Sequence, residues 1–381
     1  MGEVLMDFFT LEQNVDALVH SWMPNRPERM ARKSLDNDDF HALAKAGLTL
    51  TGVPADLGGF WKDARQSAWP VAMLLRKLAS VDPSLALVAS MHATVMLMWI
   101  YGPTSGGPAG WQEHRDAVLG AANDGHWFGT LASEPGIGGD LLATKSTAEP
   151  ETDLFWRMSG DKFMGSGSGM TSFMMTVAVP KGERRPDIFL IDTRNLPWDG
   201  SQGLKMVRAW DGMGMAATQS HAFRFDGVRV TRHGLKGGAL DLLPQIGPVI
   251  GFMFSAVFMG ILDAAAAEAK RILGKRANGL SAFEQTAWID SLNQIWLAQQ
   301  AFDGMARSLE TSTAGVDVLH GKLAIADLAE TALSGLSHAV GGASLSQASP
   351  FGQWIQDVRA LGYLRPPRAL TYARLFQSLQ T

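Results

Sequence analysis

Two glycine- and serine-rich turns in one β-type stretch are the residues of this chain best suited to holding a ligand. The stretch runs from Phe128 to Val179 and contains the turns GIGGD, residues 136–140, and GSGSG, residues 165–169. Glycine lets the backbone approach a bound group closely, and serine adds a hydroxyl that can donate or accept a hydrogen bond. Long alanine- and leucine-rich sequence lies on both sides. We therefore expect a small β module between helices that forms a pocket for a flat, polar, phosphate-bearing cofactor.

The residue types and their spacing do not indicate a metal site or a reactive thiol. The chain has no cysteine, which excludes disulfides, thiolate catalysis and cysteine-bound iron–sulfur clusters. His126 and His221 flank β-type segments without the spacing of metal ligands. We therefore expect no metal site.

Composition and charge restrict the class of partner. The 381 residues are 46% hydrophobic and 18% charged, with a net charge of −4 and no basic block. These values are typical of a globular protein and argue against nucleic acid or an anionic membrane as a partner. The apolar stretch from Val249 to Ala267 continues directly into the charged segment EAKRILGKR, so we expect a helix buried in protein rather than a membrane span. No basic and apolar leader is visible among the first residues, and we expect a cytoplasmic protein.

Helical spacing and capping residues characterise roughly the first 120 residues. Ser34 or Asp36 is a suitable N-cap for the segment that follows, and Gly47 is a suitable residue to end it. The peptide Asp82-Pro83 divides two apolar helices, because the residue before a proline is disfavoured in the helical conformation.

The periodicity changes twice along the rest of the chain. From about residue 125 to 232, short β-branched and aromatic segments between turn residues predict antiparallel strands. From about residue 240 to the end, apolar residues recur at helical spacing. The predicted fold class is α+β, mainly α. The predicted domains are a helical domain at 1–124, a β domain at 125–235 and a helical domain at 236–381.

Five segments resemble, in order, those of the acyl-CoA dehydrogenase superfamily, and together they cover nearly the whole chain. They are HALAKAGLTLTGVPADLGG, LASEPGIGGD, WRMSGDKFMGSGSG, WDGMGMAATQSHAFRFDGVRV and AVGGASLSQASPFGQWIQDVRA. Five ordered matches are far more specific than a single glycine turn. The resemblance implies an N-terminal helical domain, a middle β-barrel domain and a C-terminal four-helix bundle. It also implies a flavin, usually FAD, between the β domain and the C-terminal helices.

The resemblance implies that both turns contact the flavin. Ser133 stands at a threonine of the family that contacts the flavin, and Ser166 stands at a threonine that faces flavin N5. Both replacements keep a hydroxyl. Gly139 replaces a serine of the family, so one side-chain contact near the phosphates is lost. The cofactor-binding residues implied here are Leu131, Ser133, Gly138, Gly139, Ser166 and Ser168.

A neighbouring subunit completes the FAD site in this family, which implies a dimer or a tetramer. Lys275, with Arg276 beside it, takes the place of an arginine at the start of a helix, where either could pair with a pyrophosphate. A solvated cation at a helix end is the alternative. Gly341 and Gly342 resemble a glycine turn that approaches the adenosine diphosphate of that FAD.

The carboxylate base of an acyl-CoA dehydrogenase has no counterpart in this chain. Such an enzyme needs Asp or Glu to remove the α-proton of the substrate. Counting from Asp357, Arg365 stands at the usual position of the base, and Ile250 stands at the alternative position. A guanidinium stays protonated and cannot act as this base. Asp263 lies several turns further along the helix, where we expect a structural role.

The two-component flavin monooxygenases, a sister branch of the superfamily, match the chain better. They receive reduced flavin from a separate reductase, and they need hydrogen-bond donors near it instead of a base. His92 and Ser166 match two such donors, whereas Leu364 stands where the branch usually has histidine. For a histidine on an apolar helix, such as His92, a hydrogen-bonded place in the core is about as common as a catalytic role.

We therefore expect a reduced-flavin-dependent monooxygenase of a small organic substrate, with His92, Ser166 and Arg365 at the catalytic centre. FMN, or reduced flavin from a reductase, is the alternative to bound FAD. One other hypothesis is an acyl-CoA dehydrogenase with a displaced or absent base, served by an electron-transfer flavoprotein. Another is a catalytically silent binding protein with this fold.

Overall fold

The computed structural model describes residues 7–311 and 313–380, and its elements follow the predicted order of helices, strands and helices. The first helical region ends before the strands begin at residue 128. Its helices are α1 Phe8–Trp22, α2 Arg26–Ala31, α3 Asn37–Ala46, α4 Ala64–Ala79, α5 Pro83–Ile100 and α6 Trp111–Asn123.

Local capping signals fix the ends of these helices as the sequence predicts. The side chain of Asp36 caps α3 by accepting a hydrogen bond from the backbone N–H of Asp38. The same helix ends at Gly47, whose φ of 100° is the left-handed conformation that glycine adopts readily. Asp82 caps α5, which begins at Pro83. Helix α5 is buried along almost its whole length and forms the centre of the first helical region.

The middle region is a seven-stranded sheet whose pairings close a ring. Strands β2, β3, β7, β5 and β4 pair in that order, and β4 pairs back with β2; β1 pairs with β4 and β6 with β7. The strands are β1 Phe128–Thr130, β2 Thr147–Pro150, β3 Phe155–Gly165, β4 Phe173–Pro180, β5 Asp187–Asp192, β6 Leu204–Arg208 and β7 His221–Arg232.

The prediction of antiparallel strands is wrong for two of these pairings. β4 runs parallel to β1 and also parallel to β2. The sequence could not show this, because an alternation of apolar and polar residues has the same period in both kinds of pairing. Two further bridges, between Thr130 and Ser166 and between Ser133 and Phe163, join the chain after β1 to the end of β3. They bring the turn after β1 and the turn after β3 to one end of the β module.

Helices return after β7 and pack against the first helical region. α7 contacts α4, α5 and α9, and its central residues from Phe252 to Leu262 are buried, as predicted for this apolar stretch. Asp263 on α7 forms a two-point ion pair with Arg76, which is the structural role expected for it. The helices are α7 Leu243–Gly274, α8 Ala282–Ser308, α9 Ala314–Val340, α10 Phe351–Val358 and α11 Arg368–Ser378.

Two stretches are long and apolar enough to cross a membrane by length and composition. They are α5 and the segment Leu240–Gly274, and most of each is buried inside the protein. Their apolar surface is therefore used by the core.

Candidate functional site

A cavity of about 930 Å³ lies between the two turns of the β module and the C-terminal helices. Its walls come from α5, the two turns, the loop 210–215, α7 and the segment 359–366. The volume is within the range of sites for cofactors and small substrates. The stretch in which the sequence predicts ligand-binding turns therefore borders a cavity large enough for a ligand.

The residues just before the first turn meet the C-terminal segment inside this cavity, at Ser133. The Oγ atom of Ser133 accepts a hydrogen bond of 2.9 Å from Nη2 of Arg365. The other terminal nitrogen of Arg365, Nη1, is out of contact with solvent and has no hydrogen-bond partner in the described part of the chain. Burial lowers the pKa of Arg365 to about 10, which leaves it protonated at neutral pH. The structure thus brings Ser133 and Arg365 together and leaves one donor for a ligand.

Ser166, in the second turn, begins a chain of hydrogen-bonded hydroxyls at the cavity wall. Its Oγ lies 2.7 Å from Oγ of Ser220, which lies 2.8 Å from Oγ1 of Thr218. Thr218 donates to the carbonyl of Met215 at 2.9 Å. Ser166, Ser220 and Thr218 all line the cavity, and sequence reasoning assigned no role to Ser220 or Thr218.

A buried ion pair joins the two turns to each other. Lys162, on β3 before the second turn, donates to Oε1 of Glu134, which follows Ser133 just before the first turn. The two side chains are 0% and 4% exposed, and Lys162 also donates to the carbonyl of Val177 at 2.6 Å. Because this ion pair links the two segments, it fixes their position relative to each other.

Lys322, on α9, holds the segment that carries Arg365. Its Nζ donates to the carbonyls of Leu364 at 2.8 Å and Pro366 at 2.7 Å, the two residues that flank Arg365. Lys322 is 3% exposed and lines the cavity, and burial lowers its pKa to about 7.

Sequence reasoning missed Lys322, although a signal was present. With Val318 and Ile325, the lysine lies on the buried face of α9, at spacings of four and three residues. A lysine is almost never fully buried without a partner, so its place on an apolar face indicates a specific role.

Asp357, on α10, fixes the loop 210–215 that forms another wall. Its Oδ1 accepts from the backbone N–H of Met215 at 2.6 Å and from Nε2 of Gln353 at 2.8 Å. Burial raises the pKa of Asp357 to about 7. Asp357 therefore holds the backbone of this loop in place and is not itself among the residues that line the cavity.

His92, predicted as catalytic, lies in the core and outside the residues that line the cavity. It is 1% exposed, its Nε2 lies 2.7 Å from the carbonyl of Thr49, and its Nδ1 accepts from the backbone N–H of Phe128 at 3.2 Å. Burial lowers its pKa to about 4, so the ring is neutral. Both ring nitrogens are used by the backbone, and the structure does not bring His92 together with Ser166 and Arg365.

The remaining residues of the two turns divide between the cavity and the body of the β module. Gly139 lines the cavity, and a Cβ atom at this position would lie 2.7 Å from Cγ of Pro367. Gly138 precedes it in a left-handed conformation with φ of 60°. Leu131 and Ser168 line a second cavity of about 330 Å³ instead.

The predicted residues of the neighbouring flavin site lie at the end of the C-terminal helices, outside the lining of the first cavity. Nη2 of Arg276 donates to the carbonyls of Ala339 and Val340, directly before Gly341, at 3.3 and 3.4 Å. The structure therefore brings Arg276 close to the glycine turn of Gly341 and Gly342. Lys275 is exposed at the end of α7.

No carboxylate stands at either position where the sequence would place a base. Arg365 and Ile250 both line the cavity. Among its described lining residues the carboxylates are Asp140 and Asp241. Asp140 caps a short 3₁₀ helix, and Asp241 pairs with Arg185 at 2.6 Å on the surface. Nor do the residues that the structure describes contain a group of three His, Cys, Asp or Glu placed to hold a metal ion.

The residues around the cavity fit a flavin ring. The ring is flat and has hydrogen-bonding atoms along one edge, and the hydroxyls of Ser133 and Ser166 with the free donor of Arg365 supply matching polar groups. Apolar side chains of α5, including Leu87 and Met91, also line the cavity. These residues could hold the ring without a metal or a carboxylate.

Known proteins similar to this chain include a monooxygenase and a nitrososynthase, although no protein-family model matches it. A dibenzothiophene monooxygenase of Mycolicibacterium goodii is 26% identical over 311 residues, which are 76% of this chain and 70% of that protein. An amino sugar nitrososynthase of Streptomyces peucetius is 25% identical over 358 residues, 86% of this chain and 82% of that protein.

Solved structures share the fold over nearly the full length. Butyryl-CoA dehydrogenase from Megasphaera elsdenii superimposes with a TM-score of 0.83 at 19% identity, covering 100% of both chains. FMN-bound TdsC from Paenibacillus sp. A11-2 gives a TM-score of 0.80 at 19% identity, covering 96% of both chains.

Proposed function

We infer that this chain, which belongs to the acyl-CoA dehydrogenase superfamily, is a flavin-dependent monooxygenase of a small organic substrate. The observation that carries this proposal is the cavity at the two turns. It offers hydroxyls and an arginine to a flavin but no carboxylate that could remove a substrate proton. α-Proton abstraction needs such a base within hydrogen-bond reach, and Arg365 and Ile250 cannot provide one.

Bound reduced flavin would supply the electrons with which molecular oxygen is activated for transfer of one oxygen atom to the substrate. The chain positions and encloses the reactants. Ser133 and Arg365 would hold one edge of the ring, and Ser166 would offer its hydroxyl at the second turn. The apolar wall from α5 and α7 keeps water away from the reacting atoms, which strengthens each of these hydrogen bonds.

The apolar wall of the cavity supports a substrate with an apolar body. It consists mainly of uncharged side chains of α5 and α7, among them Leu87, Met91, Val95, Met98 and Phe254. Methionine side chains adapt to flat and aromatic surfaces. Of the two substrate classes in the names of the relatives, this wall suits an arene such as dibenzothiophene better than an amino sugar.

The proposal extends to the cofactor, the partner and the place of the protein. The flavin is FAD or FMN, and a separate flavin reductase delivers it in reduced form. We also propose the three domains at 1–124, 125–235 and 236–381, a cytoplasmic location, and a homotetramer or dimer. An exposed apolar face on α8 supports self-association, since Ile289, Leu292 and Trp296 are 56%, 36% and 60% exposed.

The test mixes the purified protein with chemically reduced FMN or FAD under anaerobic conditions, adds ¹⁸O-labelled oxygen, and offers a panel of arenes and heteroarenes. A product that carries one ¹⁸O atom, together with oxygen consumption that depends on both flavin and protein, is the expected result. The control reaction contains the flavin without the protein.

Two other results would contradict the proposal. Reduction of protein-bound oxidised flavin by an acyl-CoA, without oxygen, would make the chain a dehydrogenase served by an electron-transfer flavoprotein. Failure to bind either redox form of FMN or FAD would leave a catalytically silent binding protein.

A further inference from the structure

We propose that Arg365 is a partly buried cation that makes this site bind reduced, anionic flavin in preference to oxidised flavin, and that Lys322 is the residue that positions it. This inference rests on the proposed flavin site. It assigns a role to the residue that replaces the catalytic base, and a role to a lysine for which the sequence suggested none.

The Arg365 guanidinium has a donor that the protein does not use. Nη2 is bonded to Ser133, whereas Nη1 is shielded from solvent and unpartnered in the described part of the chain. Leaving a buried charged donor unsatisfied costs free energy, and a ligand that accepts its hydrogen bond recovers that cost. The cavity wall is therefore built to receive an acceptor beside Ser133.

The local charge favours an acceptor that is negative. Arg365 forms no ion pair within residues 7–311 and 313–380. Arg365 is close enough to Lys162 that its positive charge helps to lower the pKa of Lys162. The charge of Lys162, however, is balanced by Glu134. Arg365 is thus an uncompensated positive charge, and an anion bound to it gains a charge-assisted hydrogen bond in a medium of low polarity.

The charge of the flavin ring differs between its oxidised and reduced forms, and a cation in the site would distinguish the two. The oxidised ring is neutral, whereas the reduced ring loses a proton near neutral pH and carries a negative charge over N1 and the C2 carbonyl. A fixed cation at the edge of the ring interacts more strongly with the anionic form. The difference in binding free energy between the two forms appears directly as a higher reduction potential of the bound flavin.

Lys322 fixes the position of this cation through the backbone. Its Nζ bonds to the carbonyls on both sides of Arg365, at Leu364 and Pro366. An arginine side chain is long, and holding its backbone on both sides restricts where the guanidinium can reach. Lys322 is therefore a positioning residue, which acts on the ligand through Arg365.

The experiment measures the dissociation constants of oxidised and anaerobically reduced FMN, and the midpoint potential of the bound flavin. The proteins are the wild type, Arg365→Gln, Arg365→Lys, Lys322→Met, Lys322→Arg and the control Arg224→Gln. Arg224 is an exposed arginine on β7 that pairs with Asp161 at 2.9 Å and lies outside the cavity lining. Thermal unfolding of each variant checks that it is folded.

In the wild type we expect reduced FMN to bind at least tenfold more tightly than oxidised FMN. Arg365→Gln should lose about tenfold of that preference, which corresponds to a midpoint potential about 30 mV lower for a two-electron couple. Arg365→Lys should keep part of the preference. Lys322→Met should lower it with little change in the affinity for oxidised FMN, Lys322→Arg should restore most of it, and Arg224→Gln should leave it unchanged.

An Arg365→Gln variant that is folded and keeps the wild-type preference and potential would overturn the inference, even if the protein oxygenates its substrate. A Lys322→Met variant with unchanged preference would remove Lys322 from the proposal. Absence of any flavin binding by the wild type would instead contradict the proposed function itself, so the two failures can be told apart.

Discussion

The hydroxyl of Ser166 has a direction that follows from its neighbours. Thr218 donates its only hydroxyl hydrogen to the carbonyl of Met215, so it accepts from Ser220. Ser220 in turn accepts from Ser166. The Ser166 hydrogen is then used by Ser220, its oxygen keeps both lone pairs free to accept a hydrogen bond, and the hydroxyl is held in one orientation before any ligand binds. The resemblance placed a hydroxyl here, and the structure adds the partners that orient it.

Replacing Ser166 with alanine should weaken flavin binding, because it removes this hydroxyl and breaks the chain of hydrogen bonds. We expect a loss of about 1 kcal/mol, or roughly fivefold in the dissociation constant of reduced FMN. Anaerobic fluorescence titration measures it. Ser166→Thr keeps the hydroxyl and is the matched control; equal affinity of Ser166→Ala and wild type would remove Ser166 from the site.

Replacing Lys162 with methionine should destabilise the protein strongly, because Glu134 would remain as a buried charge without its cation. The expected loss in the free energy of unfolding is about 3–5 kcal/mol, as for other broken buried pairs. Chemical denaturation measures it. The double variant Lys162→Met/Glu134→Gln should recover much of the loss, and a single variant as stable as the double would contradict this account.

At the level of elements, short segments from distant parts of the chain are fixed by single buried side chains. α9 holds the segment of Arg365 through Lys322, and α10 holds the loop 210–215 through Asp357. Neither support lies next to the loop it fixes in sequence. The cavity is therefore shaped by the C-terminal helices as much as by the glycine turns of the β module.

The pKa of Asp357 gives this arrangement a dependence on pH. Burial raises the pKa in the folded protein to about 7, from a usual value of 3.8. The folded state then holds the proton more tightly than the unfolded state, so this contribution to stability is full below about pH 4 and is lost as pH rises through 7.

Asp357→Asn removes the ionisation but keeps an oxygen that can accept from Met215. The stability of the variant relative to the wild type should therefore rise between pH 5 and pH 8. Urea unfolding of both proteins at the two pH values measures the difference. A constant difference between the two proteins would show that Asp357 does not titrate in this range.

At the scale of the whole molecule, α8 presents an apolar surface that the single chain leaves uncovered. Ile289, Leu292 and Trp296 are spaced by three and four residues, so they lie on one face of the helix. A cluster of large exposed apolar side chains is typical of a surface that binds a partner. A second copy of this chain is the partner proposed above.

Ile289→Glu combined with Trp296→Glu should shift the protein to smaller species, because two carboxylates would be buried in the interface. Light scattering after size-exclusion chromatography measures the mass. Lys205→Glu, at an exposed position on β6, is the control and should keep the wild-type mass. An unchanged mass of the α8 variant would place the interface elsewhere.

Much of the fold followed from signals contained within a few residues. Asp36, Gly47 and the Asp82-Pro83 peptide set helix ends through local hydrogen bonds and backbone conformation, so they could be read directly. The presence of strands between about residues 125 and 232 was also predictable, from the β-branched and aromatic composition of short segments. The relative direction of paired strands could not be predicted, because β4 meets β1 and β2 only after the chain has folded back.

The sequence by itself determined the element order, the likeness to a flavoprotein superfamily, the hydroxyls at Ser133 and Ser166, and the absence of a base at Arg365. These properties depend on residue type and on local spacing. Only the tertiary structure decided that His92 is occupied by backbone groups, that Lys322 grips both sides of Arg365, and which residues meet in the cavity. Those contacts join positions up to 232 residues apart, and nothing in the local sequence specifies which distant partner a buried side chain will find.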